Sequence, residues 1–122
     1  MKHQTRHFQR NLPERGWIQF LILRFIYEKP THAYKLIQDM ESQGYVTLGR
    51  FKTGSIYTIL SRMEHKGLLS SNQEKSEAGR ISRVYSITPK GTEILKRGLV
   101  DVLRRKKIMD KILKFYFEQF TE

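Results

Sequence analysis

Between Thr53 and Gly67 the chain sets hydroxyls, a phenol, a guanidinium and an imidazole at helical spacing beside an apolar stripe. Ile56, Ile59, Leu60 and Met63 stand at i, i+3, i+4 and i+7, the pattern of a helix with one buried face. At about 100° per residue, Thr58, Ser61, Arg62 and His65 fall on the opposite side, with Tyr57 on one flank. Thr53 and Ser55 are candidate N-caps, while His65, Lys66 and Gly67 suit a helix C-terminus. Glu64, the only acid in the stretch, lies to the side. An outer row of hydrogen-bond donors without a carboxylate suits a polyanion. Arg62 could contact guanine, and the hydroxyls and Tyr57 could bind phosphate. The helix taken alone also fits an ordinary solvated face, because periodicity reports burial and not partners.

The whole chain tilts the balance towards an anionic partner. Its 122 residues hold 23 lysines and arginines against 12 acids, a formal charge of +11. A field of that sign favours nucleic acid or an anionic membrane surface. Membrane attachment would want a lipidation signal or a basic helix with bulky apolar residues, and no lipidation motif is present. The longest nearly apolar run, Trp17 to Tyr27, is interrupted by Gln19 and Arg24 and is too short to cross a bilayer. The N-terminus lacks the apolar stretch of a secretion signal. A cytoplasmic protein is expected.

Enzymatic chemistry finds little to work with. There is no cysteine, hence no disulfide, thiolate ligand or thiol nucleophile. No glycine-rich phosphate loop occurs, and no carboxylate pair clusters near a histidine. His3 and His7 have i, i+4 spacing but no third ligand, the pattern of surface polar residues rather than a metal site. The reading is a non-enzyme with no metal and no cofactor.

The elements that must position the Thr53–Gly67 row can be placed in order. Residues 1–11 carry Lys2, Arg6 and Arg10 and no acid, and read as a flexible basic arm. Pro13 and Glu14 open a first helix that runs to about Glu28, with Ile18, Leu21, Ile22, Phe25 and Ile26 inward. Lys29-Pro30 breaks it. Thr31 is expected to cap a second helix over His32–Gln43, with Tyr34, Leu36, Ile37 and Met40 inward and Gly44 just past its end. Arg50 and Lys52 then precede the focal helix, where a phosphate could also meet its first amides.

After Gly67 the period changes to two. Leu68 to Lys75 and Ile81 to Thr88 read as strands around the polar tip Ser76-Glu77-Ala78-Gly79-Arg80. A hairpin directly after an amphipathic helix, bearing Lys75, Arg80 and Arg83, has the layout of a wing; a plain hairpin with a solvated tip is the alternative. Thr88 and Pro89 start a last helix of about thirty residues. In it Leu95, Leu99, Val102, Met109, Leu113, Tyr116 and Phe120 follow heptad steps, with Lys106 in the one charged position. Ile108, Ile112 and Phe115 widen the stripe. The run Arg104-Arg105-Lys106-Lys107 reads as a solvated face. So long an apolar seam outruns a small body, and a second copy of the chain is the expected partner, with fold-back onto the first helix as the alternative.

Two segments at this separation, Gly54-Ser-Ile-Tyr-Thr-Ile-Leu-Ser-Arg-Met-Glu-His-Lys-Gly-Leu-Leu69 and Gly79-Arg-Ile-Ser-Arg-Val-Tyr-Ser-Ile-Thr-Pro-Lys-Gly91, resemble the PadR-like family of prokaryotic transcriptional regulators. His32-Ala-Tyr-Lys-Leu36 looks like that family's second-helix signature, with Ala33 where glycine is usual. The resemblance spans about residues 14–95. It implies a winged helix-turn-helix domain, a C-terminal helix that builds a homodimer, and repression of a nearby promoter. Some members bind phenolic acids or planar drugs between subunits. Trp17 and the aromatics of residues 115–120 are candidates for such a small aromatic effector, although aromatics at this spacing also serve as core.

The expected fold is therefore mainly α (α+β), a winged helix-turn-helix with a long C-terminal dimerisation helix. Residues 1–11 form the arm, 12–88 the winged domain and 89–122 the dimerisation helix. The expected function is a sequence-specific, DNA-binding regulator, a dimeric repressor contacting double-stranded DNA through Arg50, Lys52, Thr53, Ser55, Tyr57, Thr58, Ser61, Arg62, Lys75, Arg80 and Arg83. The alternative is a non-specific architectural DNA- or RNA-binding protein.

Overall fold

The computed structural model describes residues 14–45 and 53–121. The expected basic arm, Arg50 and Lys52 lie outside the described residues, and so do the side chains of Glu14, Arg15 and Thr53. In chain order the elements are α1 (Glu14–Glu28), β1 (Thr31–His32), α2 (Ala33–Ser42), α3 (Thr53–His65), β2 (Leu69–Lys75), β3 (Ile81–Ile87) and α4 (Pro89–Phe120). The strands form one antiparallel sheet in the order β1-β3-β2.

Helix α1 is the centre of the body. Its expected stripe of Ile18, Leu21, Ile22, Phe25 and Ile26 is buried, and so is Leu23 on another side. This follows from its neighbours, since α1 packs against α2, β3 and α4. A helix enclosed on more than one side has no need of a single apolar stripe. Around it the core takes Ala33, Leu36 and Met40 from α2, Ile56, Leu60 and Met63 from α3, Leu69 and Tyr85 from the hairpin, and Leu95 from α4. Removing a large side chain of this kind from water is worth about 1.5–3 kcal/mol.

Two expectations for α2 fail. Thr31 does not cap it; Thr31 is buried in β1 opposite Tyr85. The cap is His32, extended at φ −97° and ψ 162°, whose Nδ1 accepts the Lys35 N–H at 3.3 Å. Tyr34 does not face inward either; it is 63% exposed, and its hydroxyl accepts a hydrogen bond from Gln38 Nε2. The inward row starts one residue earlier, as Ala33, Leu36, half-buried Ile37 and Met40. With Ala33 in the i position, Tyr34 is rotated about 100° off the stripe.

The ends of α2 and α3 are built alike. Gly44 and Gly67 have φ of 77° and 82°, the left-handed conformation in which a side chain is strained. Gly67 N–H donates to Glu64 O and Leu68 N–H to Met63 O, both at 2.9 Å, closing the helix with the paired bonds of a glycine C-cap. Helix α3 starts at Thr53, so Ser55 lies in its first turn and does not cap it.

Helix α4 is capped by Thr88, whose Oγ1 accepts the Gly91 N–H at 3.0 Å and donates to Gly67 O at 2.6 Å. Pro89 occupies the first turn, where its missing N–H costs nothing. Gly91 lets the helix pass against the Leu68 backbone, because a β-carbon there would collide with the Leu68 carbonyl oxygen. Leu95, read in the sequence as part of the pairing seam, is instead buried in its own chain's core. Its place on the first turns, over α1, decides this. From Leu99 onward the seam leaves the body.

Candidate nucleic-acid interface

The outer row of α3 forms as its spacing requires. Ile56, Leu60 and Met63 are buried, while Ser55, Tyr57, Thr58, Ser61, Arg62 and His65 are exposed. The hairpin continues this surface. With Ser71 opposite Tyr85 and Gln73 opposite Arg83, one face of the sheet carries Leu69, Ser71, Gln73 and Lys75 beside Ile87, Tyr85, Arg83 and Ile81. That face is buried at its root, at Leu69 and Tyr85, and exposed at its tip, at Lys75 and Ile81. The same row that roots the hairpin in the core thus ends as the inner side of a wing.

Wing and helix meet in a cleft of about 420 Å³ lined by His32, Ala33, Tyr34, Tyr57 and the segment Arg80–Arg83. Tyr57, Arg80 and Arg83 were expected at the interface from the sequence; His32, Tyr34, Ile81 and Ser82 were not. Ile81 stands 67% exposed at the wing's edge, and Tyr34 and Tyr57 present rings and hydroxyls from two helices. The signal for Tyr34 was the register of α2, which turns on whether the small Ala33 or the aromatic takes the buried position. Lys75 lies at the last register pair, opposite Ile81, outside the residues lining the cleft.

The hairpin tip is shaped by Gly79, at φ 82°, with Ser76 N–H donating to Arg80 O at 2.8 Å and Gly79 N–H to Ser76 O at 2.9 Å. Arg80 thereby stands at the end of a closed turn. Behind the cleft, Glu64 Oε2 accepts the Ser71 hydroxyl at 2.6 Å, and Ser71 Oγ accepts Arg83 Nη1 at 2.9 Å. Burial pushes the Tyr85 phenol above its ordinary value of 10.0; the Arg83 guanidinium pulls it down, while Glu64 and Tyr57 add to the rise. Among the described residues no group of three or more histidines and carboxylates could hold a metal.

A protein-family model described as the transcriptional regulator PadR-like family matches residues 22–97, which span β1 to β3 and the cleft. The chain belongs to the PadR-like family. This PadR-like regulator is 33% identical over 94 residues to a transcriptional regulator of Mycobacterium tuberculosis, covering 75% of this chain and 83% of that one. Its fold matches a PadR-like transcriptional regulator of Bacillus cereus at TM-score 0.70 and 26% identity, over 80% of this chain and 92% of that one. A PadR family transcription regulator of Clostridium difficile matches at TM-score 0.69 and 25% identity, over 80% and 98%. The fold is accordingly a winged helix, with the β2–β3 hairpin that follows α3 as the wing.

This PadR-like body has a second surface. Between α1 and α4 runs a groove of about 550 Å³, with Phe20 and Leu23 on one wall, Ile94, Gly98 and Val100 on the other, and Arg97, Asp101 and Arg104 at its polar edge. Trp17 does not line it. Its ring, 43% exposed, stacks on Phe20 at 5.5 Å with an interplanar angle of 27°, one layer behind. Along α4, Leu99, Val102, Met109, Leu113, Tyr116 and Phe120 are exposed, together with Ile108, Ile112, Phe115 and Phe117. Lys106 pairs with Asp110 at 2.8 Å on the exposed surface. No helix among the described residues is long and apolar enough to cross a membrane.

Proposed function

We propose that the chain is a homodimeric, sequence-specific repressor that binds double-stranded DNA at a promoter near its own gene. One observation carries this reading: Tyr57, on the flank of the carboxylate-free outer row of α3, lines one cleft with Arg80 and Arg83 of the wing. Helix α3 would enter the major groove and present Ser55, Tyr57, Thr58, Ser61 and Arg62, Arg62 to a guanine edge and the hydroxyls to phosphates. Arg80, Arg83 and Lys75 would hold the backbone or the neighbouring minor groove. His32 and Tyr34 would meet the strand that runs between helix and wing, where Ile81 can pack on sugar. Arg50, Lys52 and Thr53 precede or begin α3 in sequence and complete the proposed set.

The partner for the seam is a second copy of the chain. Leu99 to Phe120 expose more contiguous apolar surface than a lone helix keeps in water, and their direction on α4 continues that of Leu95. Residues 12–88 would then carry the DNA contacts and residues 89–122 the pairing. Two α3 helices would address a pseudo-palindrome with half-sites about 10 bp apart or a little more. The α1–α4 groove is the proposed place for a small aromatic effector, with Phe20 as the contacting ring and Trp17 as its backing.

The test is a gel shift with DNA from upstream of the gene, repeated across salt concentrations and against excess bulk DNA. Neutralising six to ten phosphates gives a log–log salt slope of about −5 to −9. Equal competition by bulk DNA would point instead to a non-specific architectural protein.

A further inference from the structure

Glu64 is the one acid of α3, on the helix that otherwise presents donors, and it is half-buried with its carboxylate engaged by Ser71. Ser71 sits at the inner root of the wing, one step diagonally from Arg83 in the antiparallel register. Its hydroxyl donates to Glu64 at 2.6 Å and accepts from Arg83 at 2.9 Å, so one oxygen joins recognition helix, β2 and β3. Arg83 makes no ion pair with Glu64 or any other described acid. Its charge is therefore steered without being neutralised.

We infer that Glu64 and Ser71 are positioning residues for DNA binding, a relay that aims Arg83 across the cleft and keeps its remaining N–H groups for a phosphate. This rests on the proposed reading of the wing as a DNA contact. A hydroxyl bound to a carboxylate is a better acceptor than a free one, so the charged end strengthens the link to the guanidinium. A guanidinium offers five donors in a rigid fork, and one bond to Ser71 leaves the others for an anion. Holding the side chain before DNA arrives removes part of the ordering cost that an unrestrained arginine meets on binding. Because the relay starts on α3 and ends on β3, it also fixes where the wing grips relative to where the helix reads.

The probe is a labelled random-sequence duplex of about three helical turns, titrated by fluorescence anisotropy at several salt concentrations with the full chain. Thermal midpoints of every variant are recorded beside it. Ser71→Thr and Ser71→Val are compared because they share one shape and differ by the hydroxyl. The valine variant should bind about three- to tenfold more weakly than the threonine variant. Its salt slope should also be shallower by about one phosphate contact. In an Arg83→Ala background the same pair should bind alike, since the hydroxyl then has nothing to aim. Glu64→Ala should bind more weakly than Glu64→Gln; both remove the same charge, so charge does not account for the difference.

A threonine–valine difference of equal size with and without Arg83, or none in either background, overturns the relay and leaves the wing reading standing. Unchanged binding by Arg83→Ala alone removes the wing contact, and the relay with it.

Discussion

The ring of Phe20 lies in the gap that Gly98 leaves on α4; a β-carbon at 98 would come within 2.5 Å of its Cδ1 and 2.7 Å of its Cε1. Two effects oppose each other in Gly98→Ala. Alanine favours the helix by about 1 kcal/mol over glycine, whereas forcing extra volume into a packed contact costs about 1–3 kcal/mol. The ring can shift a little, so the variant should be destabilised by about 1 kcal/mol. Gly91→Ala should cost more, because its obstacle is the Leu68 carbonyl, which cannot rotate away. Urea unfolding of the two variants decides; a Gly91 variant as stable as the parent contradicts the packing described for α4.

Thr88 serves two elements at once, capping α4 and donating to Gly67 O, just past the end of α3. Thr88→Ala loses both bonds and should cost about 1–2 kcal/mol. Thr88→Ser keeps them and should lose a small part of that. Thermal unfolding of the pair distinguishes a capping role from mere space filling.

Arg62 and Lys75 should differ in kind. An Arg62→Ala change costs about 1–3 kcal/mol and relaxes sequence preference if the guanidinium reads a base. Lys75→Ala, at the wing's tip, should weaken all sequences alike and lower the salt slope by about one contact. Competitive gel shifts with single-base variants of the operator separate the two patterns.

The seam is open to a direct test. Met109→Lys or Leu113→Glu places a charge in the middle of the exposed apolar row, and in the proposed dimer it would be buried without a partner. Analytical ultracentrifugation should then find monomer where the parent sediments as a pair, with operator affinity falling in step. A variant that still pairs at the same concentration would move the interface elsewhere.

Tyr85 carries a pH dependence of definite sign. Its folded value lies above 10.0, chiefly through burial, so folding favours the neutral phenol. That contribution is fully present below the unfolded value and is lost as pH rises through the folded one. Stability should therefore fall above about pH 10, and fall less steeply in Tyr85→Phe. Thermal midpoints of both proteins between neutral and strongly alkaline pH provide the comparison.

Much of this is legible in the amino-acid sequence. The i, i+3, i+4, i+7 stripe placed α3 correctly, because Ile56, Leu60 and Met63 leave no other face to bury. Gly44, Gly67 and Pro89 mark helix ends through backbone conformations that few residues share. What stayed hidden was decided by neighbours. Thr31 is a good cap by type, yet pairing with Tyr85 draws it into a strand and leaves the cap to His32. Tyr34 is outside because Ala33, though small, fits the core better than a phenol, and the cleft gains an aromatic that periodicity assigned to the interior. The Glu64–Ser71–Arg83 relay joins residues from three elements, and no local pattern could announce it.

At about 1.5 Å per residue the 32 residues of α4 form a shaft of about 48 Å, packed against the body along its first turns, from Gly91 to Gly98. Such a shaft multiplies angles. Where two of them cross in the middle of the seam, about 30 Å from each reading head, a change of about 10° would swing each head by about 5 Å, more than the 3.4 Å rise between stacked bases. In the proposed pair, a modest change where the two shafts cross would therefore suffice to throw both heads out of step with the duplex while leaving each of them intact.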